Sequence, residues 1–279
     1  PFMGCGTTLV EAARLGHDSW GTDINPLAVK IAQAKTAPIN DRALDELIRW
    51  LEEAATQPER HWADSAHLLD GSEKWYREDI ARAISAILRE ADRLDPNTRN
   101  FAHIGLSDLL KGMSNARMDR TLPSLPKTPQ YQDKKHYWRL VDNETRAINP
   151  FSRLKNQLIR MQRALDEFHA EAKGRADPLL HDARELASLG RKAQLAITSP
   201  PYWSAQNYQG MHKLSFWVLG LAEPRFDEIG RRKNNYLADM EAVIQQLVQV
   251  LDGHFVLVIG ESKEGAHETV RDQCTAHGL

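Results

Sequence analysis

An α/β fold with a mostly parallel sheet is what this sequence predicts, and three observations predict it. Short apolar runs alternate with amphipathic stretches along both ends of the chain. A glycine turn, Gly4-Cys5-Gly6, opens directly into the helical pattern Leu9–Leu15. The apolar run Leu195-Ala196-Ile197 stops abruptly at Thr198-Ser199-Pro200-Pro201-Tyr202-Trp203, as a strand does at the carboxyl edge of a sheet. That edge is where open α/β folds hold their ligands.

The elements follow in order. Glycines at 4 and 6 let the backbone approach a ligand closely, and the helix they open offers N–H groups free of intrahelical partners. The loop has neither the Gly-Lys-Ser/Thr ending of a phosphate cradle nor the third glycine of the dinucleotide fingerprint, so a small ligand without phosphates suits it. Ser19-Trp20-Gly21-Thr22-Asp23-Ile24 reads as the next strand. Asn25-Pro26 then supplies a cap and a first helical residue. Asp23 ends that strand about twenty residues after the glycines, where an acid can accept from a ribose; a plain helix-capping acid is the competing reading.

From about 37 to 176 the pattern is mainly helical. Leu44, Leu47, Ile48 and Leu51 define one helix capped by Asn40, and Ile80, Ala83, Ile84, Ile87 and Leu88 a second with Ser72 as its cap. Phe101, Ile104, Leu109 and Leu110 suggest a third, and Leu154, Leu158, Met161 and Leu165 a fourth from Pro150 to about Lys173. After Trp203, residues 204–210 read as a loop over the pocket from which Tyr208 or Asn207 reaches a substrate, with an ordinary exposed loop as the equal alternative, and 214–220 as a short helix on the sheet. Tyr236, Met240, Val243, Ile244, Leu247 and Leu251 mark a further helix, followed by a turn and the fifth strand of such a sheet within Leu251–Gly260.

Composition bounds the function. With 279 residues and 42% hydrophobic content the chain can bury one sizeable core beside a subdomain. No apolar run reaches the roughly eighteen residues of a membrane span, so no membrane partner is expected. Two cysteines, Cys5 and Cys274, exclude a disulfide framework or zinc cluster and point to the cytoplasm, with no metal required. The formal net charge is −2, yet between Pro96 and Arg163 thirteen Lys or Arg face five Asp or Glu, a local charge of +8. Arg117, Arg120, Lys134 and Lys135 are interleaved there with Tyr131, Tyr137 and Trp138, which suits phosphate contacts and base stacking. A solvated basic loop is the plainer alternative.

The Ser-Pro-Pro-Tyr corner is the candidate for the chemistry; a strand end closed by a rigid Pro-Pro turn with a half-buried Tyr is the plainer alternative. Two prolines withdraw two N–H donors, so its carbonyls can only accept. Ser199 Oγ and the Pro200 carbonyl can hold both N–H bonds of a planar amine while Tyr202 stacks on its ring. A nucleobase amine is such a group once the base leaves its duplex. Pro201 stiffens the corner, and Trp203 extends the aromatic surface.

Taken together, these segments resemble the amino-directed DNA methyltransferases that use S-adenosylmethionine. Pro1-Phe2-Met3-Gly4-Cys5-Gly6-Thr7-Thr8 is similar to the family's cofactor loop, Thr22-Asp23-Ile24-Asn25 to its ribose turn, His181-Asp182-Ala183-Arg184 to the segment meeting the adenine, and Thr198–Trp203 to the catalytic segment. The resemblance implies a Rossmann-like class I methyltransferase fold with a helical insertion. The first strand and the last strands are expected outside the chain, which reads as a fragment. It implies three parts: 1–36 for the cofactor, 37–176 as a basic insertion and possible target-recognition region, and 177–279 for catalysis. Pro1, Phe2, Gly4, Gly6 and Thr7 would line the cofactor, with Ile24 and Asn25 beside Asp23 at the ribose and Asp182 at the adenine. Arg117, Arg120, Lys134, Lys135, Trp138, Trp203 and Tyr208 would meet DNA.

The Ser-Pro-Pro-Tyr form implies cytosine N4 as acceptor, with adenine N6, RNA, or a non-catalytic nucleic-acid-binding relative as alternatives. A restriction endonuclease partner and restriction-modification are associations of the family. One departure stands out: here the cofactor loop precedes the catalytic segment, whereas Ser-Pro-Pro-Tyr enzymes often carry the reverse order.

Overall fold

A computed structural model of the chain describes residues 1–62, 72–116, 121–125, 147–201, 208–222, 229, 235–259 and 265–279. Two compact units divide it. The first joins Pro1–Lys35, Ala170–Asn207 and Ala222–Leu279; the second joins Thr36–His169 and Tyr208–Leu221.

The first unit holds all four strands assigned among the described residues: β1 (Ser19–Asp23), β2 (Ala176–Leu180), β3 (Ala193–Thr198) and β4 (Leu251–Leu257). β1 pairs with β2 and β3 with β4, both parallel, with Asp23 opposite Leu180 and Thr198 opposite Leu257. The single sheet expected from the sequence is therefore two separate pairs among the described residues. Residues 1–3, not a strand, meet the carboxyl ends of β1 and β3. The Met3 N–H donates to the Thr22 carbonyl at 3.0 Å and the Thr198 hydroxyl donates to the Pro1 carbonyl.

Among the described residues four α-helices complete this unit: α1 (Thr7–Arg14), α2 (Pro26–Thr36, whose last residue falls in the second unit), α11 (Tyr236–Val250) and α12 (Ala266–Ala276). α2 starts as expected, with Asn25 Oδ1 accepting from the Leu27 N–H at 2.9 Å. The apolar stripe of α11 is buried with Val270 and Cys274 of α12 and with Leu186, and Ala196, Phe255 and Leu257 pack against this core. The opposite face of the β3–β4 pair leaves Leu195, Ile197, Val256 and Val258 exposed. The expectation of helices on both faces thus fails for this pair among the described residues. β4 begins at Leu251, directly after α11, so the strand expected within Leu251–Gly260 is entered without the turn expected before it.

The second unit is helical: α3 (Asp41–Thr56), α4 (Pro58–His61), α5 (Ser72–Trp75), α6 (Glu78–Ala91), α7 (Pro96–Met113), α8 (Pro150–Glu171, running into the first unit), α9 (Tyr208–Met211) and α10 (Lys213–Val218). Asn40 caps α3 through the Ala43 N–H at 3.1 Å. Ser72 does not cap the second long helix; it lies in α5, and α6 starts only at Glu78. α7 begins at Pro96 because Asp95 accepts from the Asn97 and Thr98 N–H groups, a cap the apolar pattern alone did not reveal. Gly105 lets α7 and α8 approach: an added Cβ would lie 2.9 Å from Leu158 Cδ2 and 3.3 Å from Leu154 Cδ1.

Two boundaries differ from expectation. Residues from Ala170 belong with the strands, so the helical part ends before 176. Conversely, 208–221, expected with the sheet, groups with the helices of the second unit. The physical reason is local: Ser107 of α7 and Ser215 of α10 share a hydrogen bond at 2.8 Å, and the Lys213 ammonium sits 4.3 Å from the ring centroids of both Trp75 and Trp217.

Candidate active site

The glycine loop folds by left-handed backbone. Phe2, Gly4 and Gly6 have φ of 56°, 53° and 75°. For Phe2 that conformation costs on the order of 1–3 kcal/mol, and the ring repays part of it by packing against the core of the first unit. Gly6 closes a turn with its N–H on the Met3 carbonyl at 3.0 Å, and its own carbonyl accepts from Val10 as the first bond of α1. No side chain caps α1, so no side chain competes for the amides of its first turn. Gly21 has a role the sequence did not suggest. A Cβ there would come within 3.0 Å of Met3 Cβ, so its bare Cα lets the loop lie along β1.

Asp23 ties this loop to the strand. Its Oδ2 accepts from the Gly4 N–H and its Oδ1 from the Asn25 N–H, each at 2.9 Å. A carboxylate has about four acceptor positions, and with the Ile24 amide also acting on it these backbone donors do not use them all. Burial raises the Asp23 carboxyl above its ordinary value, against the pull of the Asn25 and Gly4 amides, which favour the charged form. Next to it, the His181 N–H donates to the Asp23 carbonyl at 3.1 Å, so the ends of β1 and β2 lie side by side. Ile24 and Asn25 stand at this same edge, and the Asn25 side chain is committed to capping α2.

Asp182 follows the end of β2 and is 5% exposed. Its carboxylate is committed. Arg184 reaches it through Nε and Nη2, the latter at 2.7 Å, and the Arg184 N–H donates to Oδ1 at 2.8 Å. The same guanidinium bonds Asp239 of α11 at 2.9 Å. These bonds hold Arg184 above its ordinary value and fasten the 3-10 segment Ala183–Leu189 to α11. Their geometry supports a structural Asp182 more directly than an adenine contact. An Arg two residues past an acid is a signal that reading the motif alone passes over.

β3 delivers the Ser-Pro-Pro corner to residues 1–3, which also meet the end of β1. Thr198 is buried, its carbonyl accepts from the Val258 N–H at 2.8 Å, and its hydroxyl donates to the Pro1 carbonyl. Ser199, next in line, is exposed; Pro200 is buried and Pro201 half-buried. A chain of hydrogen bonds thus runs from Asp23 through Gly4 to the loop, and from Pro1 to the residue before Ser199. Pro1, Phe2, Gly4, Gly6, Asp23, Asp182, Ser199, Pro200 and Pro201 all lie at the carboxyl ends of the strands or in the loop that meets them, and Thr7 opens α1 beside them. Thr198, missed as a site residue, is what joins the two motifs.

Other expectations are not reached. Tyr202, Trp203, Asn207, Arg117, Arg120, Lys134, Lys135, Trp138 and the Tyr208 side chain lie outside the described residues. Basic residues flanking that segment that are described make helix contacts: Lys155 pairs with Glu52 at 3.1 Å and Arg153 donates to the Gly112 carbonyl at 3.3 Å.

The chain is similar to the type II methyltransferase M.MvaI of Kocuria varians, 28% identical over 124 residues. That stretch covers 42% of this chain and 27% of that protein. No protein-family model and no solved structure matches the chain. Among the described residues no helix is long and apolar enough to cross a membrane, and no cluster of metal-ligating side chains is found.

Proposed function

We propose that the chain forms the methyl-transfer site of a DNA methyltransferase that uses S-adenosylmethionine and acts on the exocyclic amine of a base, cytosine N4 foremost. One observation carries the reading. The glycine loop and the Ser-Pro-Pro corner share a hydrogen bond, Thr198 hydroxyl to Pro1 carbonyl, although nearly two hundred residues separate them. The likeness to a type II methyltransferase supports it independently.

The residues fit the cofactor. Gly4 and Gly6 present backbone without Cβ, α1 has no side-chain cap, and Asp23 has unused acceptor positions where a ribose diol would donate. When bound, the cofactor supplies an electrophilic methyl group. The protein's part is positional: Ser199 Oγ and the Pro200 carbonyl hold the amine, and Tyr202 and Trp203 stack the flipped base. Alignment of donor and acceptor accounts for most of the rate, since this chemistry needs no covalent protein intermediate.

Affinity for S-adenosylmethionine should fall on acidification, because a protonated Asp23 accepts poorly from a ribose. Burial raises this carboxyl, so the midpoint lies above the ordinary 3.8. Asp23→Asn weakens binding roughly 10- to 100-fold at neutral pH, as loss of a charge-assisted hydrogen bond does, and flattens the pH dependence. Isothermal titration from pH 4 to 8 measures both. A pH-independent affinity in the unsubstituted protein removes Asp23 from the cofactor site.

The function itself is tested with labelled S-adenosylmethionine, DNA in one reaction and matched RNA in another, followed by digestion to nucleosides. Label in N4-methylcytosine from DNA is expected. Label in N6-methyladenine moves the acceptor, label from RNA alone moves the substrate, and label in neither, with cofactor still bound, leaves a binding protein.

A further inference from the structure

Ser199, Pro200 and Pro201 sit just past the last ladder bond of β3, where the Thr198 carbonyl accepts from Val258. Beyond that point the sheet no longer holds the chain. Pro200 and Pro201 have no N–H, so no backbone donor of theirs can fasten the corner. The proline rings fix φ but leave ψ free, and ψ decides where each carbonyl points.

Among the described residues one hydrogen bond holds this segment: the Tyr236 hydroxyl donates to the Pro201 carbonyl at 3.0 Å. Tyr236 opens α11 and is 1% exposed, its ring in the core with Met240 and Val243. A tyrosine there is amphipathic by necessity. The ring contributes to packing, while the buried hydroxyl requires an acceptor.

We propose that Tyr236 is a positioning residue for the Ser-Pro-Pro corner, an inference that rests on the methyl-transfer reading above. Its hydroxyl fixes the plane of the peptide after Pro201, and hence the direction in which the chain departs toward Tyr202. It also takes one of the two acceptor positions of the Pro201 carbonyl. Among the described residues the Pro200 carbonyl is the less engaged of the two, and it is the one assigned to the substrate amine. The corner is thus held on both flanks: by Thr198 on the glycine loop and by Tyr236 on the helix that precedes β4. A corner released on one flank still binds cofactor, because Asp23 and the glycine loop are untouched, but no longer aims its acceptors. A displacement of about 1 Å at such a site costs on the order of 100-fold in rate.

Tyr236→Phe tests this on the full chain, since it removes one oxygen and keeps the ring; Tyr236→Ala would open a cavity and confuse the result. The expected outcome is a fall in kcat of about 10- to 100-fold. KM for S-adenosylmethionine should stay within twofold and the thermal midpoint should barely move. Backbone hydrogen exchange at the Tyr202 and Trp203 amides should quicken. Unchanged kcat with unchanged exchange overturns the inference. A kcat loss matched by an equal loss of cofactor affinity and melting temperature also overturns it, because that pattern marks core packing alone. If the unsubstituted protein methylates no amine, the functional reading fails by itself, and exchange at Tyr202 and Trp203 still decides whether Tyr236 holds the corner.

Discussion

Ser199→Ala should lower kcat by about 100- to 1,000-fold while leaving the affinity for S-adenosylmethionine within twofold. Removing one preorganised polar group from a reacting centre has that effect when the group acts on the transition state and not on the bound ground state. Ser199 favours a clean experiment. It is exposed, it follows the last ladder residue of β3, and its neighbour Thr198 carries the buried contact to Pro1. The substitution therefore costs no more than about 0.5 kcal/mol of stability, as surface changes generally do. Ser199→Asn, which restores an acceptor, should recover part of the lost rate. Single-turnover kinetics with saturating cofactor separates the steps, and an alanine variant with near-normal turnover would remove the hydroxyl from the mechanism.

The second large effect belongs to Gly6. At φ +75° an alanine is strained, at about 1–2 kcal/mol. Its Cβ would also lie 2.7 Å from Ala32 Cβ and 3.3 Å from Ala32 Cα, neither of which is a flexible chain end. Forcing a methyl into packed surroundings adds about 1–3 kcal/mol. Together these put Gly6→Ala near 3 kcal/mol, with a fall in melting temperature of roughly 6–12 °C. Cofactor affinity should fall as well, since α1 and α2 must separate to admit the methyl group. Gly4→Ala is the control. It has φ +53° but nothing within 4 Å of the added carbon, so only the conformational cost of about 1 kcal/mol applies. Equal melting temperatures for the two variants would show that contact with Ala32 does not matter.

Much of the local structure was legible from sequence because it rests on bonds spanning four residues or fewer. Asn25 and Asn40 were readable as caps, and both accept from amides two or three residues on. Apolar spacing located the buried faces of α3, α6, α8 and α11. Asp95 went unread because the polar run Asp-Pro-Asn-Thr carries no apolar period, so the apolar spacing marked the face of this helix but not its start. Asp182 was read from its motif and not from its partner. A cap and an ion pair to a neighbouring Arg look the same as a ligand-binding acid until the guanidinium is seen on both oxygens.

By itself the sequence determined the order of motifs, three of the four strands among the described residues and most of the helices, because propensity, capping and periodicity act along the chain. Only the tertiary structure decided which distant groups meet: Pro1 with Thr198, Pro201 with Tyr236, Arg184 with Asp239, and Ser107 with Ser215. It also decided that β1–β2 and β3–β4 form separate pairs and that 208–221 joins the helical unit. Such contacts depend on which buried donor finds which acceptor and which apolar face finds cover, and these choices leave no period in the order of residues.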